Sequence, residues 1–465
     1  MIKVLDRPVI LLKQLEINYV ADVGDKVADQ YAADTGRYPY LQIRNLVIQT
    51  NDTTKIVLYN DQFLPKIEVY FKDPTFKLID PLFPLDEDII SLFIQSSSEL
   101  LMPVRMDFKI IEFNVVKMDS DINYVLTGLL DVNYLYFQPY NTHLGTSYDV
   151  LKKMAMDAKL GFASNIDNTN DLMMWINPAD SNLEFMQQVV KYSYRSDESF
   201  MLAYIDFYYN LNYVDIETAL NEDISEQTGI YYAANLTKVK DEAVTELFLT
   251  DHPDKINTNT YIQKYNLLNS TTKVNLSIGY QKYLTYYDKN GNTQYQFIMD
   301  TISTPGAKGK NVVLKGQVGQ VSEIAANSWD GEFLGTYDSD NVHPNYLYAG
   351  IQNKQNLDFL QKVKMKVTLG VMNFNVYRFQ KIDIRFYKMK EFEDDKVAVE
   401  VTEKNVEQFA GADFDAKKLN QRLSGEWLIT AINYTFNKVG GFAQELTLVR
   451  RELGFNENDY SKAKA

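Results

Sequence analysis

The chain has no cysteine in its 465 residues, which excludes disulfides, thiolate nucleophiles and cysteine-ligated metals and leaves packing and hydrogen bonds to hold the fold. Histidine is almost as scarce. The three present, His143, His252 and His343, form no HExxH or HxH arrangement, so the spacing that places two imidazoles on one metal is missing. No segment approaches the roughly 20 apolar residues of a membrane-spanning helix, and the apolar stretch Pro8–Leu12 is too short for the core of a signal peptide. The expectation is a protein made in the cytoplasm without membrane insertion. Positive charge is in deficit as well: 47 Lys and Arg face 62 Asp and Glu, a formal charge of −15. That balance opposes the phosphate contacts of a sequence-specific nucleic-acid binder, yet it suits a wall past which DNA slides without sticking.

What the sequence does have is strand patterning. Tyr (33) and Phe (25) are abundant, and both favour half-buried strands and protein interfaces. The clearest pattern runs out from Leu423 to Phe436, bends at Lys438-Val439-Gly440-Gly441 and returns from Phe442 to Arg450. Read with period two, Leu428, Ile432, Tyr434 and Phe436, then Phe442, Leu446 and Leu448, supply one apolar face, and the glycine pair closes a long β-hairpin. Similar runs at 41–47, 55–59, 66–71, 104–110 and 124–130 are separated by Asn51-Asp52, Asn60-Asp61 and several prolines. They predict a meander of short strands with no long helix, and hence one β domain over residues 1–135.

The middle changes character. Tyr148, Leu151, Met154, Ala155 and Ala158 recur at helical spacing between Ser147 and a stop at Gly161. Ser181 and Glu184 have the spacing of a capping box, in which each side chain satisfies an orphan amide at a helix start, followed by the stripe Phe185, Met186, Val189, Val190. Residues 200–209 are apolar on both faces, as in a central covered strand. Beyond them, Asn290-Gly291 suits a hairpin turn between 285–287 and 295–299. A helix over 345–360 is interrupted by Gly350, and alternating strands follow at 363–369 and 381–387. The run 389–419, rich in acidic residues, reads as a solvated insert.

No chemistry stands out. Gly306–Asn311 lacks the interval and the hydroxyl of a phosphate loop. Asp167–Asp171 opens like a calcium loop but places Leu172 where glycine is needed and Pro178 where a glutamate should close it, so a helix-to-strand turn is the better reading. A glycosidase needs only two suitably separated carboxylates, and sequence spacing identifies no such pair. No residue is assigned a catalytic, cofactor or metal role.

Taken together, Val125–Val132, the helix pair with Asp171–Ile176 and Ser181–Tyr192, the Tyr204-Ile205-Asp206 strand and the Leu423–Arg450 hairpin resemble the baseplate central hub of contractile-tailed bacteriophages. The hub portion of type VI secretion spike proteins is similar. The resemblance implies an α+β, β-rich fold with two tube-type β-barrel domains, 1–135 and 346–465. Between them would lie a mixed α/β domain at 136–260 and a β-rich connecting domain at 261–345; the insert 389–419 belongs to the second barrel and has no counterpart in that pattern. It further implies a non-enzymatic homotrimer in the virion, assembled in the host cytoplasm and passing DNA. Its partners would be the central spike on one side and the tail tube or tube-initiator protein on the other, with a tape-measure protein as a further neighbour. Two readings from other classes compete: a receptor-binding or adhesin tail protein, and a carbohydrate-directed hydrolase with a cleft lined by Trp175 or Trp329.

Overall fold

A computed structural model describes residues 2–6, 40–44, 46–48, 52–73, 87–94, 104–118, 121–196, 199–222, 230–233, 262–271, 273, 281–288, 294–300, 336–337, 343, 345–369, 376–386, 420, 422–437, 441–451 and 453. The first strands are β1 (Lys3–Asp6), β2 (Tyr40–Ile43), β3 (Leu46–Ile48), β4 (Thr53–Asn60), β5 (Lys66–Lys72), β6 (Ile89–Ile94), β7 (Val104–Met118) and β8 (Asp121–Leu130). The middle contributes β9 (Tyr140–Gly145), β10 (Gly161–Ser164), β11 (Met173–Pro178), β12 (Met201–Ile205), β13 (Asn210–Asp215) and β14 (Ile230–Ala233). Then come β15 (Ile262–Asn269), β16 (Gln281–Asp288), β17 (Gln294–Asp300), β18 (Thr336–Tyr337), β19 (Val363–Leu369), β20 (Lys381–Phe386), β21 (Gly425–Asn437) and β22 (Gly441–Arg450). Among the described residues the α-helices are α1 (Ser147–Asp157), α2 (Asn182–Tyr192), α3 (Ile216–Asn221) and α4 (Tyr346–Leu360). The fold is α+β and rich in strand, as the sequence implied.

One 13-stranded sheet joins the two ends of the chain. Its amino-terminal part runs β4-β5-β8-β7-β6-β2-β3 and its carboxy-terminal part β15-β19-β22-β21, with β20 on β21 and β14 parallel to β20. The carboxy-terminal strands curl, for β14 lies alongside β15 and the Tyr265 ring of β15 meets Phe386 of β20 edge-on at 5.1 Å. The run 41–47 is two paired strands rather than one, and β16 and β17 form the hairpin expected around Asn290-Gly291, whose turn lies outside the described residues.

The hairpin at the carboxy-terminal end is the branch of this sheet. From Gly425 to Leu428, β21 pairs with β20; from Ile432 to Asn437 the same edge pairs with β4. A bulge between Ile429 and Ala431 separates the two stretches, adding a residue and therefore flipping the side-chain parity. Trp427 and Ile429 enter the main core before the bulge, and Ile432, Tyr434 and Phe436 after it. Leu428 turns the other way and packs with Val449, Phe200 and Tyr204. The even-position face therefore fails at Leu428 and holds at Ile432, Tyr434, Phe436, Leu446 and Leu448, while the side chain of Phe442 lies outside the described set.

The central unit is built around the sheet β1-β10-β13-β12, in which β10 and β13 run parallel. The first strand, Lys3–Asp6, pairs here and not with the amino-terminal meander. Residues 200–209 are not one central strand: β12 is the edge, and the buried central strand is β13, all six of whose residues are buried. Between them the chain reverses over 206–209 with Tyr209 in the left-handed region at φ 60°, a conformation costing roughly 1–2 kcal/mol for a side-chain-bearing residue. Buried Asp206 holds it, accepting from the backbone amides of Tyr208 and Asn210 at 2.9 Å each and from the Asn212 side chain at 3.0 Å. Helices α1 and α2 each begin with a capping box, Thr146 with Asp149 and Ser181 with Glu184.

Helix α4 docks on the end of α2 through amides instead of a greasy stripe. Its buried side is Ala349, Gln352, Asn353, Asn356, Phe359 and Leu360; of the expected apolar positions, the side chains of Leu347 and Ile351 lie outside the described set. Asn353 Nδ2 donates to the carbonyls of Lys191 and Ser193 at 2.9 Å each, and its Oδ1 accepts from the Met201 amide at 3.0 Å. The last carbonyls of α2, which no helical amide can reach, are satisfied from outside. Gly350 allows the close approach, because a Cβ there would lie 2.6 Å from the Tyr192 ring.

Candidate assembly surfaces

The three units converge on the 206–209 reversal. The Asp107 amide of β7 donates to the Tyr209 hydroxyl (2.9 Å), the Ile205 amide to the Phe63 carbonyl (2.7 Å), and the Phe207 ring packs 5.7 Å from Tyr434. Arg378 fills the branch itself. Its Nε donates to the Thr430 carbonyl at the bulge (2.7 Å) and its Nη1 to the Gln62 carbonyl (2.5 Å) and Asn60 Oδ1 (3.3 Å) beside β4. The guanidinium lies 4.6 Å from the Tyr204 ring and 5.2 Å from Phe379. Burial pulls its pKa down to about 10, so it is still a cation at neutral pH. One side chain thus fastens β4, β21 and β12.

Residues with chemical potential are consumed by this architecture. Asp171 is buried, its Oδ1 accepting from the Ser147 amide (2.9 Å) and Thr169 Oγ1 (2.7 Å) and its Oδ2 from the Tyr194 amide (2.9 Å). Trp175 is inside, with Nε1 donating to the Gly145 carbonyl at 3.1 Å, and so lines no cleft. His143 is buried against Phe185 at 5.7 Å, and burial, helped by Lys153, keeps its pKa below 6.5. His343 sits 3.3 Å from the Tyr192 carbonyl among Trp175, Tyr194 and Tyr346, and burial lowers its pKa too, against the smaller opposing pull of Asp171. His252, Trp329, residues 306–311 and the insert 389–419 lie outside the described residues. Two small pockets among the described residues, one beside Arg378 and Asp206 and one beside Trp427 and Arg450, each admit about one water and not a sugar ring.

What remains open to a partner is surface. Strands β9 and β11 form a two-stranded ribbon outside the larger sheets, paired Leu144 to Met174, Thr142 to Ile176 and Tyr140 to Pro178. Trp175, His143, Met173 and Asn177 point inward. The other face carries Tyr140, Leu144 and Ile176 at 84, 78 and 58% exposure, with Met174 at 39% and Leu172, one residue before the strand, at 68%. Neither strand contains a charged residue. A second open element is the far part of β7: β6 accompanies it only to Lys109, after which it pairs with β8 to Met118 and exposes Ile111 and Val116. The sequence groups Asp171–Ile176 with the helix pair; in the structure Met173–Pro178 is a strand that alternates buried and exposed residues.

No protein-family model and no curated protein matches the chain. Solved structures do. The 43 kDa tail protein of prophage MuSo2 from Shewanella oneidensis superposes with a TM-score of 0.51 at 10% identity, covering 89% of this chain and 98% of that one. A tail protein from Neisseria meningitidis MC58 matches with a TM-score of 0.48 at 10% identity, over 89% and 96% of the two chains. An E. coli component of the type VI secretion system matches with a TM-score of 0.41 at 10% identity, over 90% and 78%. The chain therefore shares the fold of the MuSo2 tail protein. Among the described residues no helix is long and apolar enough to cross a membrane.

Proposed function

We propose that this chain is a non-enzymatic structural component of a phage-type tail, acting as the central hub of its baseplate. Three copies form a ring that adapts a threefold spike to a sixfold tube, and DNA passes through it on ejection. The observation that supports this most directly is the end-to-end correspondence with the MuSo2 tail protein. Two strand-rich units, one from each end of the chain, are joined edge to edge through β4 and β21. In this reading each copy contributes those two units, so a trimer presents six to the tube. Residues 1–135 and 346–465 would be the tube-type domains, except for β1 and α4, which pack in the centre. The spike sits on one side, the tube or tube-initiator protein on the other, with the tape-measure protein a further neighbour. The acidic balance, tripled in the ring, keeps the lumen from holding DNA.

Light scattering of the purified chain, alone and with the spike protein, is the test. A trimer in either sample is expected. A monomer in both overturns the hub assignment.

A further inference from the structure

We propose that Arg450 holds one monatomic anion, chloride under ordinary salt, in the small void where helix α3 meets the carboxy-terminal sheet. The site is independent of the tail-component reading. Three buried cations, Lys381, Arg450 and Arg451, gather here against two carboxylates, a net charge of +1. Lys381 of β20 forms an ion pair with Glu426 of β21 at 3.1 Å, and Arg451, one residue past β22, pairs with Glu217 of α3. Arg450 is left over. Only 7% of it is exposed, and its partners are neutral: Nη1 donates to the Ser424 carbonyl at 3.3 Å, Nη2 donates to the Arg422 carbonyl, and the guanidinium lies 4.3 Å from the Trp427 ring. Its Nε is buried without an acceptor. Burial pulls its pKa down to about 10, so the charge persists at neutral pH.

A buried guanidinium with no counter-charge and a buried N–H with no acceptor each oppose folding. The void beside them is lined by Arg450, Lys381, Arg451 and Glu426 on its polar side and by Leu220 and Leu360 on the other. Its size chooses the ligand. With room for about one water, it excludes phosphate, sulfate and carboxylate ligands, which bring several heavy atoms each. A water would accept from Nε and leave the net charge in place, whereas a monatomic anion answers both. Glu426 stands on the same wall, but Lys381 balances its charge. The Trp427 indole is not a competing donor, because its Nε1 already donates to the Leu423 carbonyl at 3.0 Å. Since β20, β21, β22 and α3 must come together to form this site, the unfolded chain lacks it, and the ion stabilises the fold by mass action.

The test is urea unfolding of the purified full chain at constant ionic strength, with sodium chloride replacing sodium gluconate, whose anion is too large for the void. The unfolding equilibrium constant should fall about tenfold for each tenfold rise in chloride above the dissociation constant. Arg450→Met should abolish that dependence, whereas Arg378→Met, which removes another buried guanidinium, should keep it. Crystals of the unaltered chain grown in sodium bromide give a second readout that needs no variant to fold: an anomalous peak within hydrogen-bonding distance of Arg450 Nε. Unfolding indifferent to chloride, an equal dependence in Arg450→Met, or a water in place of bromide at Nε overturns the site. Bromide found only elsewhere is an adventitious ion only, and overturns it as well. None of these outcomes touches the tail assignment, which light scattering decides separately.

Discussion

The central unit and the terminal sheets are held by different physics. In the terminal sheets, stability follows from which face a residue is on: Ile56, Leu58, Ile67, Val69, Leu126, Leu446 and Leu448 are buried by alternation, each contributing about 1.5–3 kcal/mol through burial. Neighbouring apolar side chains of similar volume can substitute for one another at such sites. In the central unit, buried polar side chains grip the backbone at single points. Asp171, Asp206, Asn353 and Asp215, which caps α3 and takes Thr218 Oγ1 at 2.7 Å and Arg195 at 2.6 Å, have no apolar equivalent, because each satisfies amides or carbonyls that would otherwise be orphaned. The difference teaches where the molecule tolerates change. The sheets can drift in sequence while keeping their shape; the centre cannot.

Arg378 is where the two regimes meet, and removing it should have the largest effect. Arg378→Met keeps the apolar stem but withdraws donors from Thr430, Gln62 and Asn60, at an expected cost of about 2–4 kcal/mol. Hydrogen exchange should accelerate in β4 and the second half of β21 while β19 and β22 keep their protection. Uniform acceleration throughout would mean that the branch is not separately fastened, and the contrast drawn above would fail at its junction. Next in size is Asn353→Ala, which strips the carbonyl cap from α2 and orphans the Met201 amide, for about 2–3 kcal/mol. Its counterpart in a sheet, Val367→Ala, should cost a similar amount by leaving a cavity. The two separate on rescue: Val367→Ile should restore or nearly restore the sheet, whereas Asn353→Leu should do nothing for the helix pair. Urea midpoints of the four variants decide it. Smaller again is Thr146→Ala, which removes one half of the α1 capping box for about 1 kcal/mol; a midpoint unchanged from wild type would show that Asp149 alone suffices.

The same division explains what the sequence made legible. Alternation exposed the meander, β19, β20 and the β21–β22 hairpin, and the Ser181–Glu184 spacing marked the start of α2. Each of these signals is local. What failed was non-local. The bulge at Ile429/Ala431 reverses parity without any residue in the sequence announcing it, so strict alternation puts Leu428 on the wrong face. Strand β13 reads Asn-Leu-Asn-Tyr-Val-Asp and looks half exposed, yet it is buried because Asp206, Asn165 and Ser164 meet its polar groups. Gly350 looked like a flaw in α4 until the Tyr192 ring occupied the missing Cβ. The exposed apolar face of the ribbon is legible only in part: the charge-free run through Leu172 and Ile176 is in the sequence, but its pairing with Tyr140–Gly145, which creates the face, is a tertiary fact.

The smallest expected effect is a dependence on pH confined to the central unit. His343 lies where helix α4 meets α2, facing Trp175, Tyr192, Tyr194, Tyr346 and the charge of Asp171. Burial favours its neutral form and depresses its folded pKa below 6.5, outweighing Asp171 and the Tyr192 carbonyl, which pull the other way. The unfolded chain therefore binds a proton before the folded one as pH falls, so stability present above 6.5 is lost as the pH drops through that value towards the folded pKa. His143 acts in the same direction. Asp206 and Asp215 act oppositely, since burial raises their folded pKa values and the folded state takes up protons first; their contribution improves stability as pH falls towards 3.8. Exchange in α2 and α4 should thus accelerate between pH 7.5 and 5.5, after correction for intrinsic rates, while β4, β5 and β8 do not change. His343→Phe should flatten that slope by removing its titrating group from the aromatic cluster. An equal slope in the variant would assign the pH dependence to His143, and equal acceleration in the sheets would erase the contrast between the two regions.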